Sequence, residues 1–179
     1  APCVFVCQNN HWAISVPSSA QTRSPSFAAK AHAYGMPGLR VDGNDVIALR
    51  RIISEQIEAA RAGGGPSLIE AVTYRLGPHS SSDDPSRYRE QAEVDAWALK
   101  DPLIRLEHLL RRRGLLDDVA LAELTAKIDG EIDAALGRVE HLDPPTRQSL
   151  FDDVFASQPW HLREQLEQCG PDPDEEPNG

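Results

Sequence analysis

The chain has 179 residues, of which 40% are hydrophobic, and a formal net charge of -10. This length and composition are ordinary for a globular protein with one core. The acidic balance argues against nucleic acid as a partner, because a duplex requires a basic surface. No run approaches the roughly 18 consecutive apolar residues of a transmembrane helix, so we expect no membrane partner.

The cysteines and the start of the chain bear on its location. The chain has three cysteines, an odd number, and they lack C-x-x-C spacing: Cys3, Cys7 and Cys169. We expect Cys3 and Cys7 to be reduced thiols on a buried strand. The first residues lack the basic and apolar regions of a signal peptide, so we predict a cytoplasmic protein. Because the chain begins with Ala rather than Met, we expect a fragment of a longer protein.

The first half of the chain alternates strand and helix signals. Apolar, β-rich runs predict strands at residues 3–7, 39–41 and 67–74. Between the second and third strands, Asp45 is expected to cap a helix that ends at the glycines of residues 63–65. Strand, helix and strand at this spacing form a parallel crossover. The pattern therefore predicts a thin, partial parallel sheet of the α/β class.

The second half of the chain reads as helical. Residues 75–91 form a polar loop without a period, and helical patterns follow from about Glu93. Pro102 and Gly114 stand at a helix start and stop, and a long amphipathic helix is predicted at 118–140. We divide the chain into an α/β region with its loop, a helical part of the same domain, and a disordered tail, at residues 1–91, 92–169 and 170–179.

An asparagine pair, Asn9 and Asn10, follows the first strand. Ligands of open parallel sheets collect at the carboxyl ends of the strands. An amide oxygen is a hard donor that suits Mg²⁺ or Ca²⁺. The same pair also suits a tight turn, and the residues alone favour that structural interpretation over a metal ligand.

The loop at residues 75–91 is long for a connection inside a compact α/β unit, which indicates a functional segment. Within it, His79 is either a phosphate-binding or proton-carrying residue or an exposed loop histidine. A Ser-His-Asp hydrolase is a weaker hypothesis, because the chain has no G-x-S-x-G motif. Glu70, on the third strand, is either a buried acid or a partner of the loop arginines.

Several stretches together resemble a known family: "VFVCQNNHWAIS", "MPGLRVDGNDV", "SLIEAVTYRLGPHSSSDDPSRYR" and "DPLIRLEHLL". In this order they are similar to the carboxyl-terminal half of the alpha subunit of thiamine-diphosphate-dependent 2-oxo acid dehydrogenases. The loop sequence "GPHSSSDD" is nearer to the branched-chain type than to the pyruvate type, which usually reads His-Gly-His-Ser-Met-Ser-Asp-Pro. The resemblance implies part of the thiamine-diphosphate-binding fold, followed by a helical region.

The resemblance also implies functional residues. Asn10 would supply a side-chain oxygen to Mg²⁺, and Trp12, where the family usually has Tyr, its backbone carbonyl. Gln8 stands where a side chain can approach the diphosphate, but it carries no charge here. His79 would be catalytic, contacting the diphosphate and assisting acyl transfer to lipoamide. Ser80 matches a serine that is phosphorylated in mitochondrial relatives.

Four further loop positions match residues that order the active-site mouth and help to meet a lipoyl domain: Arg75, Asp83, Tyr88 and Arg89. The implied partners are a beta subunit, in an alpha2beta2 heterotetramer, the lipoyl domain of a dihydrolipoyl acyltransferase, and a branched-chain 2-oxo acid. The family's Gly-Asp-Gly metal motif is absent from these 179 residues, so we expect them to be inactive alone. The alternatives are a pyruvate or acetoin dehydrogenase alpha subunit, or a non-catalytic assembly module.

Overall fold

The computed structural model describes residues 1–170, which form five strands, seven α-helices and short 3-10 and π segments. The strands are β1 (Val4–Asn9), β2 (Trp12–Ala13), β3 (Val16–Pro17), β4 (Gly38–Asp42) and β5 (Ser67–Val72). The α-helices are α1 (Ser18–Gln21), α2 (Val46–Ala59), α3 (Gln91–Ala98), α4 (Pro102–Arg112), α5 (Asp118–Glu140), α6 (Ser149–Asp152) and α7 (Trp160–Cys169). The 3-10 helices are Ala28–Tyr34 and Pro85–Arg87, and a π-helical turn spans Ala60–Gly64.

A three-stranded parallel sheet in the order β1-β5-β4 organises the first part of the chain. β5 is central, with Asn9 and Asp42 both opposite Val72 at its last position. Ile69 and Glu70, in the middle of β5, are almost completely buried. The predicted α/β class and the parallel crossover are confirmed. Because the strands are parallel, their carboxyl ends lie together on one side of the sheet, which we call its carboxyl edge.

Local signals place the crossover helix. The Asp45 carboxylate accepts the backbone N–H groups of Ile47 (3.1 Å) and Ala48 (2.9 Å), which confirms the predicted cap. The helix runs on into the π-helical turn, where Gly63 adopts a φ of 88°. Only glycine adopts this left-handed conformation without strain, so the glycine run ends the helix as expected.

The prediction of a buried first strand is wrong. β1 begins one residue later and ends two residues later than the predicted range 3–7, and it hydrogen-bonds only to β5, at one edge of the sheet. Phe5 is 52% and Val6 46% exposed. Cys3 is also exposed, whereas Cys7 is half-buried and both thiols are free. An apolar run has the same appearance in an edge and a central strand, so the sequence did not separate them.

The helices after the loop attach to the carboxyl edge of the sheet through α4. Asp101 caps this helix, accepting the N–H groups of Leu103 (2.8 Å) and Ile104 (3.3 Å). Nη1 of Arg105 lies 2.8 Å from Oδ2 of Asp42, at the end of β4. Partial burial by itself raises the pKa of Asp42, but the hydrogen bonds from Arg105 and from a backbone N–H outweigh it and lower the pKa.

The chain divides into two compact units, Ala1–Asp118 and the chain from Val119 onward. The second unit contains α6, α7 and nearly all of α5, whose bounds agree with the predicted helix at 118–140. The domain division at residues 91 and 92 stays a prediction, and the predicted tail lies outside the described residues except for Gly170. Within residues 1–170 no helix is long and apolar enough to cross a membrane.

Candidate functional site

A tight turn follows β1 at the carboxyl edge of the sheet, and two asparagines build it. The side-chain oxygen of Asn9 accepts the N–H of His11 (3.2 Å), and that of Asn10 accepts the N–H of Trp12 (3.1 Å). His11 takes a φ of 69°, in the left-handed region that non-glycine residues rarely occupy. The structural interpretation of the asparagine pair is therefore confirmed. This turn is also compatible with a metal-ligand role for Asn10, because an amide oxygen has a second lone pair.

The β2–β3 hairpin directs the backbone of Trp12. Ser18 N–H donates to the His11 carbonyl (2.7 Å), so these two residues form a hydrogen-bonded pair. Trp12 is opposite Pro17, and in an antiparallel ladder hydrogen-bonded and non-hydrogen-bonded pairs alternate. Trp12 and Pro17 therefore form a non-hydrogen-bonded pair, so the Trp12 carbonyl points away from β3. For the same reason the hairpin loses no hydrogen bond through the missing N–H of Pro17. Asn10 and Trp12 thus offer two neutral oxygens on one short turn, a donor set that fits Mg²⁺.

Glu70 lies beneath this turn, 1% exposed. Its Oε1 accepts Nδ2 of Asn9 (2.7 Å), and its Oε2 accepts the N–H of Ala28 (3.0 Å) at the start of the 3-10 helix. Nε of Arg40 is 3.9 Å from Oε1. Of the two interpretations of Glu70, the buried acid is correct. Its ionic partner comes from β4 rather than from the loop arginines.

The segment that continues β5 holds the turn from the other side. Thr73 N–H donates to the Asn9 carbonyl (2.9 Å), and Arg75 N–H donates to the Asn10 carbonyl (3.2 Å). Nδ1 of His11 is 2.6 Å from the Thr73 carbonyl. Since a carbonyl only accepts, that nitrogen carries the hydrogen. His11 therefore has a structural role in this turn.

An aromatic cluster supports the same segment. Trp97 stacks on Tyr74 with centroids 5.4 Å apart and an interplanar angle of 11°, and its centroid is 5.2 Å from that of His11. Trp97 is therefore a packing residue of this cluster. The sequence pattern did not indicate that Trp97 packs against the turn after β1, because the partners are far apart in the chain.

The loop at residues 75–91 is closed by a polar network. Nη2 of Arg75 donates to the Tyr88 hydroxyl (3.0 Å) and to the Ile14 carbonyl (2.6 Å), which joins the loop to the hairpin. The Tyr88 hydroxyl donates to Oδ2 of Asp83 (2.6 Å), and the same oxygen accepts the backbone N–H of His79 (2.8 Å). One chain of hydrogen bonds thus joins three of the four residues that the family resemblance assigns to ordering the loop: Arg75, Tyr88 and Asp83.

Arg89, the fourth of these positions, binds the first residues of the loop. Its guanidinium donates to the backbone carbonyls of Arg75, Leu76 (2.7 Å) and Gly77 (3.1 Å). It also lies over the Tyr74 ring, 5.8 Å from the centroid. A planar fork of five N–H donors suits this multiple contact, which Lys would not reproduce.

The network shifts two pKa values in opposite directions. The hydrogen bond from the His79 backbone and that from the Tyr88 hydroxyl lower the pKa of Asp83. Partial burial and the hydrogen bond to Asp83 raise the pKa of Tyr88. Near neutral pH the pair is therefore held as a carboxylate and a neutral phenol, the state in which the hydrogen bond between them forms.

The remaining site predictions fall at exposed positions. His79 and Ser80 are exposed in the loop, with the Ser80 hydroxyl 3.3 Å from that of Ser82. Gln8 is exposed on β1, paired with Ala71. The Trp12 ring contacts Tyr88, with centroids 5.3 Å apart, so the turn after β1 and the loop touch directly.

Comparisons with known proteins identify relatives of the chain. A sequence model of the family described as "Dehydrogenase E1 component" matches residues 1–147. The chain is 51% identical, over 151 residues, to a 3-methyl-2-oxobutanoate dehydrogenase subunit alpha of Mycobacterium tuberculosis, covering 84% of this chain and 38% of that relative. It is 42% identical, over 168 residues, to a pyruvate dehydrogenase E1 component subunit alpha of Staphylococcus epidermidis, covering 93% and 45%. The chain thus spans less than half the length of these relatives.

Proposed function

Because the chain belongs to the dehydrogenase E1 component family, we propose that it is part of the alpha subunit of a branched-chain 2-oxo acid dehydrogenase. The complete enzyme would decarboxylate a branched-chain 2-oxo acid and pass the acyl group to lipoamide. Thiamine diphosphate, when bound, supplies the stabilisation of negative charge that decarboxylation requires. The 51% identity to a 3-methyl-2-oxobutanoate dehydrogenase subunit alpha supports the branched-chain type.

The observation that carries the proposal is the turn after β1. Mg²⁺ prefers oxygen ligands in near-octahedral geometry and commonly shares them with phosphate groups. The Asn10 side chain and the Trp12 carbonyl would provide two of these oxygens. The diphosphate, waters and further protein groups would provide the others. Gln8, which is neutral, would at most hydrogen-bond the diphosphate.

The loop network would present His79 to the reacting groups. The backbone N–H of His79 is fixed by Asp83, while its side chain is exposed. An imidazole in this position can hydrogen-bond the diphosphate and can give or accept a proton during acyl transfer to lipoamide. Arg75, Tyr88 and Arg89 would keep the loop in the shape that a lipoyl domain meets.

The proposed partners are a beta subunit, in an alpha2beta2 heterotetramer in the cytoplasm, and the lipoyl domain of a dihydrolipoyl acyltransferase. Phosphorylation of Ser80 would add about two negative charges next to the Asp83 carboxylate. Such charges would oppose the binding of the diphosphate and of the lipoyl domain.

The experiment uses the full-length alpha subunit co-expressed with its beta subunit. Calorimetric titration of thiamine diphosphate with Mg²⁺ should show binding that Asn10→Ala abolishes and that Gln168→Ala, an exposed amide on α7, leaves unchanged. Normal binding by Asn10→Ala would overturn the metal assignment. No binding by the wild-type complex would leave the assembly module as the better account.

The same complex tests the roles of the loop and of the substrate. His79→Ala should retain decarboxylation with an artificial electron acceptor but lose acylation of the lipoyl domain, whereas the exposed control His108→Ala retains both. Higher kcat/KM for branched-chain acids than for pyruvate is expected. The reverse preference would assign the chain to the pyruvate type.

A further inference from the structure

Glu70 is the one charged residue of the mostly apolar central strand β5, flanked by the buried residues Ile69 and Ala71. Removing a carboxylate from water costs several kcal/mol unless hydrogen bonds replace the lost hydration. Both oxygens receive donors that cannot accept, the side-chain N–H of Asn9 and the backbone N–H of Ala28. The two oxygens therefore serve different parts of the fold. Oε2 holds the 3-10 helix, and Oε1 holds the turn after β1.

The contact with Asn9 fixes which end of that amide faces the turn. With Nδ2 bound to Glu70 at 2.7 Å, Oδ1 is left to accept the N–H of His11 at 3.2 Å. The flipped amide would place two oxygen acceptors against each other and lose both hydrogen bonds. Glu70 thus selects the orientation of Asn9, although it touches no part of the turn beyond that residue.

His11 is the point at which this orientation matters. It separates the two candidate ligands, Asn10 and Trp12, and its φ of 69° carries a cost of about 1–3 kcal/mol. The hydrogen bond to Asn9 helps to offset that cost and keeps the turn in its strained form. If His11 relaxed, the Asn10 side chain and the Trp12 carbonyl would no longer be held on the same turn.

We propose that Glu70 is a positioning residue of the metal site, acting through Asn9 on the turn that carries Asn10 and Trp12. The inference rests on the proposed function, since it concerns the same cation. In metal sites, groups that orient the ligands typically contribute 10–100-fold to metal affinity. Glu70 holds no ligand directly, so its effect on the cation must pass through Asn9.

The test measures cation affinity in the full-length alpha–beta complex. Mn²⁺, a paramagnetic substitute for Mg²⁺, is titrated in the presence of thiamine diphosphate, and free Mn²⁺ is followed by electron paramagnetic resonance. Glu70→Gln should weaken binding about 10–100-fold. The reason is that a glutamine has one acceptor oxygen for the two donors Asn9 and Ala28. The control Glu58→Gln, on an ion pair exposed on α2, should change nothing.

A double-mutant cycle with Asn9→Ala separates positioning from a purely structural role. Asn9→Ala should weaken Mn²⁺ binding to a similar degree, and adding Glu70→Gln should weaken it little further. Tm should fall when Glu70→Gln is made in the wild type, because one of the two donors loses its acceptor, but little when it is made in Asn9→Ala, where the single amide oxygen can still accept the N–H of Ala28. Additive effects on affinity would overturn action through Asn9.

Two further outcomes are decisive. Unchanged affinity in Glu70→Gln, with a large loss in Asn10→Ala, would overturn the role of Glu70 and leave the proposed function intact. Unchanged affinity in Asn10→Ala would instead overturn the proposed metal site itself. If Glu70→Gln fails to assemble, Asn9→Asp decides instead, since an aspartate still accepts the N–H of His11 but cannot donate to Glu70. Unchanged affinity in Asn9→Asp would then overturn the role of Glu70.

Discussion

Oδ2 of Asp83 accepts two hydrogen bonds at once, from the Tyr88 hydroxyl at 2.6 Å and from the His79 backbone at 2.8 Å. This one oxygen closes the loop between residues 79 and 88. The closure ties the backbone of His79, through Asp83, to Tyr88, whose ring contacts Trp12 in the turn after β1.

The Tyr88 hydroxyl should therefore control the order of the loop. Tyr88→Phe removes two hydrogen bonds, each worth about 1 kcal/mol, but retains the ring that contacts Trp12. Amide hydrogen exchange of residues 76–88 should become roughly 10-fold faster, whereas Tyr34→Phe, at a position 79% exposed, should have no effect. Unchanged exchange in Tyr88→Phe would show that the network does not order the loop.

The order of the loop should also depend on pH at both extremes. The pKa of Asp83 is lowered, so its contribution is complete above about pH 4 and is lost as the pH falls through the lowered pKa. The pKa of Tyr88 is raised, so its contribution is complete below about pH 10 and is lost as the pH rises through the raised pKa. The ring resonances of Tyr88, followed by NMR, should be constant between these limits.

Asp83→Asn isolates the acidic limb of that profile. An asparagine has no carboxylate to protonate, so the change in Tyr88 resonances at low pH should disappear while the change at high pH remains. A low-pH change that persists in Asp83→Asn would assign it to another group.

Gly38 should not tolerate a side chain. A Cβ at this position would lie 2.0 Å from the Ala28 carbonyl oxygen and 3.0 Å from Cβ of Ala31. Both neighbours belong to the 3-10 helix that Glu70 holds, so the backbone must move. Gly38→Ala should lower the free energy of unfolding by about 1–3 kcal/mol, measured by chemical denaturation.

Gly77→Ala is the matched control for this substitution, because its Cβ would meet nothing within 4 Å. It should change the free energy of unfolding by no more than about 0.5 kcal/mol. Equal effects of the two substitutions would mean that the close approach at Gly38 has no energetic weight.

Truncation of Trp97 should destabilise the first unit. The ring stacks on Tyr74 and contacts His11, and large aromatic side chains contribute about 3–5 kcal/mol when fully buried. Trp97 is only half-buried, so we expect Trp97→Ala to cost roughly 2–3 kcal/mol. Trp160→Ala, at a position 69% exposed, should cost much less in a denaturation experiment on its own unit.

The helix bounds were predictable from the sequence because their signals are local. Asp45 caps α2 in the structure as its position suggested, α4 starts at Pro102, and Gly114, at a φ of 66°, follows the end of α4. A cap needs only the three residues that follow it, and the period of α5 needs only its own apolar residues.

The composition of the site was only partly predictable. The asparagine pair and the loop residues were identified from their order in the chain, but the partner of Glu70 was not. Asn9 is 61 residues from Glu70, and no local pattern links them. The useful signal was a single acid within an apolar strand, which indicates a buried polar contact without naming its partner. The edge position of β1 was equally hidden, since it depends on the order of strands in the sheet.

The central place of β5 sets the order in which the first unit can fold. Within residues 1–170, β1 and β4 do not pair with each other, and each pairs only with β5, which lies between them. Closing the chain between Asn9 and Glu70 also carries a loop entropy cost that local helices avoid. The caps and turns of α2 can therefore form from local contacts, whereas the asparagine turn can take its final shape only once Glu70, Thr73 and Arg75, which hydrogen-bond to it, are in place.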